Sequence, residues 1–307
     1  MEFDLAELRR DWIEGVCGED FIARVHGCRA QIEALPPGAR ARGALIAEAD
    51  PVEFAAAFFA AVSLGVPAIL ANPRWGEQEW AELSGLVAPG GAFRRGFIYE
   101  DRSVFGQASA NPMNDAPMYD APAGSILIPT GGTTGGVKLA VHTWASLSAA
   151  VPGLQGFLGG GPIHSACQLP LHHVSGLMQL VRSFLSGGRI HFDDAVHEGD
   201  CLSLVPTQLQ RAMESEAGIR KLNTARVIFA GSAGMPGAVA ARARELRLPV
   251  VPVYGMTETA AMVAAVPNED FLTDPQAGAV PLGEARFALD NGQIRVQTPA
   301  LFRGYHG

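Results

Sequence analysis

The chain has 307 residues, 48% hydrophobic and 18% charged, with 36 glycines and 21 prolines. That apolar content can bury a sizeable core, which excludes wholesale disorder, and at roughly 150 residues per domain the length allows two domains or one large one. Asp and Glu number 31 against 23 Lys and Arg, a net charge of −8, and this acidic balance argues against nucleic acid or acidic lipid as a general partner.

The first forty residues read as helical up to the Pro36-Pro37-Gly38 breaker. Gly43 to Ala47 then reads as a short apolar strand. Asp50 is placed to cap the next helix, with Pro51 at its first position and Gly65 just past its end. Val66 to Asn72 reads as the following strand, and GEQEWAEL opens another helix. Strand, capped helix, strand is the signature of a parallel sheet covered by helices, so the fold class is α/β. The stretch from Asp101 to Ala123, rich in Asn, Pro, Asp and Ala, reads as an irregular connection. It divides a first α/β subdomain (residues 1–123) from a second (residues 124–307).

In the second part SILIPT is a buried strand running into a Gly/Thr loop, and HTWASLSAAV starts a helix. Gly176 to Gly188 is a helix ended by glycines, RIHF a short strand, and CLSLVPT a strand followed by the helix QLQRAM. ARVIFAGSAGMP reads as a strand opening into a Gly loop, and LPVVPVYGMTET as a strand ending in a turn. The Asn291-Gly292 pair between alternating residues marks a β-hairpin. Three strands thus run into small-residue loops, at 130–136, 231–236 and 255–257. Ligands of open α/β sheets bind beyond the carboxyl ends of strands, so three such loops point to one shared site. Cys17, Cys28, Cys167 and Cys201 show no C-x-x-C spacing. Neither a leader pattern nor an apolar run of about 20 residues is found, so the expectation is a soluble cytoplasmic protein with no transmembrane segment.

The strongest local signal is Pro129 to Lys138: Thr130, Gly131, Gly132, Thr133, Thr134, Gly135, Gly136 and Val137 lead to Lys138. Small residues let backbone N–H groups approach an anion closely, hydroxyls add donors, and one ammonium adds charge; together they suit a polyphosphate. The spacing is one residue too long for a Walker A loop, and Leu139 stands where that motif needs Ser or Thr. Ala230 to Gly234 falls one glycine short of a hydrolase elbow. His172 and His173 are neighbours without a Cys or carboxylate at ligand spacing, which argues against a metal pair; His164 and His191 read as structural or surface residues. Arg182 lies inside the apolar run LMQLVRSFL, where a guanidinium must snorkel, pair with a core carboxylate, or hold a carboxylate on a ligand.

The loop resembles the phosphate-binding signature of the adenylate-forming acyl-CoA ligase superfamily, departing from it at Gly131, Val137 and Leu139. Further blocks of that superfamily follow in order: LPLHHVSG (169–176), AGSAGMP (230–236), VYGMTET (253–259) and the segment from Pro281 to Tyr305, where Gln293 replaces the usual Glu. The resemblance implies an acyl-CoA-synthetase-like N-terminal core that uses ATP, Mg2+ and CoA as an AMP-forming acid–thiol ligase. It implies that Thr130 to Gly135, Lys138 and Thr257 hold phosphate, with Thr257 on the α-phosphate. Glu258 would ligate Mg2+, and Gly231, Ser232, Ala233, Tyr254 and Gly255 would surround adenine. His173 would gate and orient the acyl site, and Ser175, Gly176, Arg182 and Met256 would line the acid pocket beside it.

Within the superfamily, HVSGLMQLVRSFLSGGR and ANPRWGEQEW look like the o-succinylbenzoate–CoA ligases of menaquinone and phylloquinone synthesis. Their substrate is a dicarboxylate whose benzoate carboxylate stays ionised, and Arg182 is its candidate partner. Other readings are another aryl- or acyl-CoA ligase, or a non-catalytic nucleotide- and acid-binding core. The family's C-terminal lid domain, with its lysine, and the ribose-binding Asp before it have no counterpart in these residues. The expectation is therefore that this chain is the N-terminal core and adenylates slowly at best.

Overall fold

Local sequence dictates the first βαβ unit. In a computed structural model describing residues 3–87, 91–94, 97–99, 122–131 and 136–306, strand β1 spans Ala44–Ile46 and β2 spans Ala68–Leu70. Helices α1 (Gly18–Ala34) and α2 (Pro37–Arg42) precede β1, so the proline breaker both ends one helix and opens the next. Between the strands lies α3, Pro51–Leu64. The Asp50 carboxylate accepts from the N–H groups of Val52 and Glu53, and Gly65 ends the helix in the left-handed region at φ 63°. After β2 comes α4, Glu77–Leu86, followed by β3 (Gly91–Arg94) and β4 (Phe97–Tyr99). Residues 101–121, most of the expected connection, lie outside the described residues.

Strand β5 covers Ser125–Gly131 and β6 covers Val137–Thr143. The latter corrects the sequence reading, which ran the phosphate loop on toward the next helix. Lys138 stands in a strand, opposite Thr130, and Gly131 opposite Val137. Burial explains it: Leu139, Ala140, Val141 and His142 are all buried, as in a strand covered on both faces, while Lys138 near its start is exposed. Helix α5 then begins at Trp144 and runs to Phe157.

Next come β7 (His164–Ala166), α6 (Val174–Leu185), β8 (Ile190–His191), β9 (Asp200–Leu204), α7 (Pro206–Ala212) and α8 (Glu216–Thr224). β10 (Val227–Ala230), α9 (Gly237–Glu245), β11 (Val250–Met256), β12 (Ala261–Ala265) and α10 (Asn268–Thr273) follow. Short β13 (Val280–Pro281), the hairpin β14 (Arg286–Asp290) and β15 (Gln293–Gln297), and β16 (Tyr305–His306) complete the order.

Among the described residues the strands form two seven-stranded sheets, β16-β6-β5-β2-β1-β3-β4 and β13-β12-β11-β10-β9-β7-β8, beside the separate hairpin. Each is parallel in its middle and antiparallel at one or both edges. The first sheet takes strands from both sides of residue 123: β2 pairs with β5, and β16 returns from the far end of the chain onto β6. The division drawn at 123/124 therefore does not coincide with a division between sheets.

Period-2 patterning sorts each sheet's residues onto two faces. Leu45, Ile69 and Leu127 pack toward α4, whereas Ala44, Ile46, Leu70 and Ile128 join α1, α3, α5 and α6 in the largest core. The second sheet presents Leu202, Ile228 and Val250 to α7, α8 and α9, and Phe229 and Val251 to its other face. Phe59 is the hub of the large core, with ring centroids 5.1 Å from Phe184 and 5.8 Å from Trp12. Deleting so buried a ring costs about 3–5 kcal/mol. The packed helical layer holds α6, and with it Arg182, against the second sheet.

Candidate active site

The carboxyl ends of β5, β10 and β11 open on one cavity of about 480 Å3. Thr130 and Gly131 reach it from the first sheet; Gly231, Ser232, Gly255, Met256, Thr257 and Glu258 reach it from the second. His173, Ser175 and Arg182 enter from the N-terminal end and inner face of α6. The expected residues Gly132, Thr133, Thr134 and Gly135 lie outside the described residues. Tyr254 and Ala233 stand next in sequence to lining residues, and the Tyr254 ring packs 6.4 Å from Phe287. Gly176 is buried, and its role is close approach: a Cβ there would sit 2.2 Å from the Pro170 carbonyl oxygen. Gly255 is tighter still, with a Cβ only 1.7 Å from the Ala261 oxygen, so β11, where its pairing with β12 shifts register, tolerates no side chain at that position.

Thr257 and Glu258 sit on a short 3-10 turn, Thr257–Thr259, and its backbone is fixed from the first sheet. The His142 ring, fully buried on β6, lies with Nε2 2.7 Å from the Thr257 carbonyl and Nδ1 3.0 Å from Ser146 Oγ. A carbonyl only accepts, so Nε2 carries the proton; burial lowers the His142 pKa, consistent with a neutral ring. The Phe302 N–H donates to the Glu258 carbonyl at 2.8 Å. Lys138 is exposed on β6 outside the cavity lining, its Nζ 5.7 Å from the Tyr305 ring centroid. The Tyr305 hydroxyl donates to Glu258 Oε1, and this bond, with burial, pushes the phenol up to about 12. The strand that leaves the Gly/Thr loop is tied by Glu82 of α4, which accepts from the Val137 N–H at 2.8 Å.

At the opposite wall lies Arg182, 2% exposed. Its Nε donates to Ser165 Oγ at 3.3 Å, a terminal nitrogen donates to Ser203 Oγ at 3.2 Å, and its guanidinium lies 5.2 Å from the Phe229 ring centroid. Among the described residues no carboxylate lies within ion-pair distance of it. The core salt bridge weighed from sequence is therefore not formed. Burial lowers the Arg182 pKa, yet a guanidinium keeps its proton at neutral pH. The result is a desolvated cation at a cavity wall with two hydroxyls for company, a setting in which a ligand carboxylate gains most.

His173 precedes α6 and opens onto the cavity, with burial holding its pKa below the usual histidine range. His172, its ring centroid 4.7 Å away, is pushed down to about 4, by burial first and then by His173 and Arg74. Two neutral rings are poor anion holders. Among the described residues no group of three or more His, Cys, Asp and Glu could hold a metal by itself. Glu258 brings a carboxylate to the cavity, and Mg2+ as a class keeps waters and takes one or two carboxylates beside nucleotide phosphates.

Sequence reasoning missed several lining residues: Met178, Ser203, Phe229 and Met262. Their signal was strand and helix periodicity alone, which does not distinguish a cavity wall from a core. It also missed His142, a polar residue in an apolar strand, and gave Tyr305 no role although it stood in a quoted block.

The family model for AMP-binding enzymes matches residues 41–306. The chain is 28% identical over 204 residues to a 2-succinylbenzoate–CoA ligase of Listeria monocytogenes, covering 61% of this chain and 43% of that protein. It is 26% identical over 292 residues to the Lactococcus lactis ligase of the same name, covering 87% and 64%. Among solved structures it resembles o-succinylbenzoate coenzyme A synthetase from Bacillus subtilis in complex with ATP and magnesium ion. There the TM-score is 0.78 at 22% identity, covering 98% of this chain and 71% of that one. The chain thus spans about 43% to 64% of the length of these curated relatives. Among the described residues no helix is long and apolar enough to cross a membrane.

Proposed function

The chain belongs to the AMP-binding enzyme family, and from that premise we propose that it serves the ATP-dependent activation of o-succinylbenzoate, first to the acyl-adenylate and then to the CoA thioester. The observation that carries this reading is Arg182, a buried guanidinium at the cavity wall with hydroxyl partners and, among the described residues, no carboxylate. A monocarboxylic acid presents nothing to it once its one carboxylate has gone to the phosphate. A dicarboxylate presents its second carboxylate, and the otherwise apolar wall of Met178, Leu204 and Phe229 suits an aryl ring. The names of the curated relatives support the same acid.

In this reading the reacting carboxylate oxygen bonds the α-phosphorus of ATP as the bond to pyrophosphate breaks. Like charges repel on that approach, so the site must supply positive charge and N–H donors. Lys138, Thr130, the loop amides and Thr257 would hold phosphate oxygens, and Glu258 would hold Mg2+, which would supply further charge neutralisation. Gly231, Ser232, Ala233, Tyr254 and Gly255 receive adenine, with Gly231 and Gly255 keeping the walls thin. His173, Ser175, Gly176, Arg182 and Met256 shape the acid pocket. The CoA sulfur then bonds the acyl carbon, AMP leaves, and the thiol proton passes to solvent.

The test is an acid panel in a pyrophosphate-release assay, read beside equilibrium binding: o-succinylbenzoate, benzoate, a coumarate, malonate and a medium-chain fatty acid. The reading expects o-succinylbenzoate to bind at least about tenfold more tightly than benzoate or the fatty acid. Equal affinities across the panel would contradict it.

A further inference from the structure

We propose that Tyr305 is a positioning residue for Glu258, fixing its carboxylate to meet a divalent cation and keeping it apart from Lys138. The inference rests on the reading of Glu258 as the Mg2+ ligand and adds to it the group that orients that ligand.

The turn's backbone needs no further help. His142 holds the Thr257 carbonyl and the Phe302 N–H holds that of Glu258. The Glu258 side chain still has three free torsions, and a long carboxylate loses entropy when it must adopt one of them. Tyr305 removes that freedom by donating its hydroxyl proton to Oε1. A carboxylate accepts at two oxygens with about four lone-pair sites, so one phenol leaves Oε2 free for a cation.

The sheet dictates this placement. β16 pairs antiparallel with β6, setting Tyr305 opposite Ala140, two residues from Lys138 on the same face. The ring therefore meets the ammonium at 5.7 Å while the hydroxyl meets the carboxylate. Lys138 and Glu258 form no ion pair. A direct pair would neutralise the two charges that a phosphate and a cation each require.

Tyr305→Phe keeps the ring over Lys138 and removes only the donor. ATP affinity of the chain, measured by calorimetry with Mg2+ and again with EDTA, separates the two roles, with Glu258→Gln as the reference. The expected result is that Mg2+ tightens ATP binding about threefold to tenfold less in Tyr305→Phe than in the wild type. The EDTA affinity and the unfolding temperature should stay at wild-type values, which a merely structural tyrosine would not allow. If Tyr305→Phe retains the full Mg2+ effect while Glu258→Gln loses it, the positioning role is overturned and the Glu258 reading stands. If Glu258→Gln also retains it, both fall.

Discussion

At its first residue β9 offers the Asp200 carboxylate to the His191 imidazole, and near its other end it offers the Ser203 hydroxyl to the Arg182 guanidinium. Both basic side chains are buried, His191 on the sheet and Arg182 on the helix packed against it, yet they are satisfied differently. His191 is closed on both nitrogens, by Asp200 at 2.9 Å and Asp193 at 2.7 Å. Burial alone would lower its pKa, but the hydrogen bonds and charges of Asp200 and Asp193 outweigh it, and the net shift is upward. Arg182, among the described residues, has hydroxyl partners without a carboxylate. One end of the strand spends its charge on the fold, and the carboxyl end, where α/β sheets bind ligands, holds charge in reserve.

The contrast breaks first on stability. Asp200→Asn strips a partner from a buried pair and should cost about 3 kcal/mol in denaturant unfolding, within the range for breaking such pairs. It should leave ATP binding within about twofold. Arg182→Met removes a buried charge that the fold does not neutralise, so stability should hold or rise by about 1 kcal/mol. A loss of more than about 2 kcal/mol there would mean that the fold does depend on the guanidinium.

The smallest effect is a pH dependence with a defined sign. The folded-state pKa of His191 lies above its unfolded value of about 6.5. Its contribution is therefore complete below about pH 6.5 and lost as pH rises through the folded value. The stability difference between wild type and His191→Gln, followed from pH 5.5 to 9, should shrink upward. A difference that grows with pH would contradict the assignment.

Much of this was legible in the sequence because it is local. Asp50, Pro51 and Gly65 mark both ends of α3 within one stretch of chain, and Asn291-Gly292 sets the hairpin. Arg182 stood out because a charge inside an apolar helix demands a reason. What stayed hidden is non-local. Strand β6 was masked by a motif that reads as loop, although the run from Leu139 to His142 is buried throughout. No local signal places β16 on β6, and hence Tyr305 beside Glu258, since the pairing joins residues 139–140 to 305–306. The same holds for the sheet boundary, which the pairing of β2 with β5 carries past residue 123.

The most direct measurement compares o-succinylbenzoate with an analogue lacking its benzoate carboxylate, each titrated into the wild type and Arg182→Met, with ATP as the control ligand. Removing either the arginine or that carboxylate should cost about a hundredfold in affinity, removing both should cost little more, and ATP affinity should not change. Independent losses that simply multiply, or an equal loss for ATP, would contradict the account.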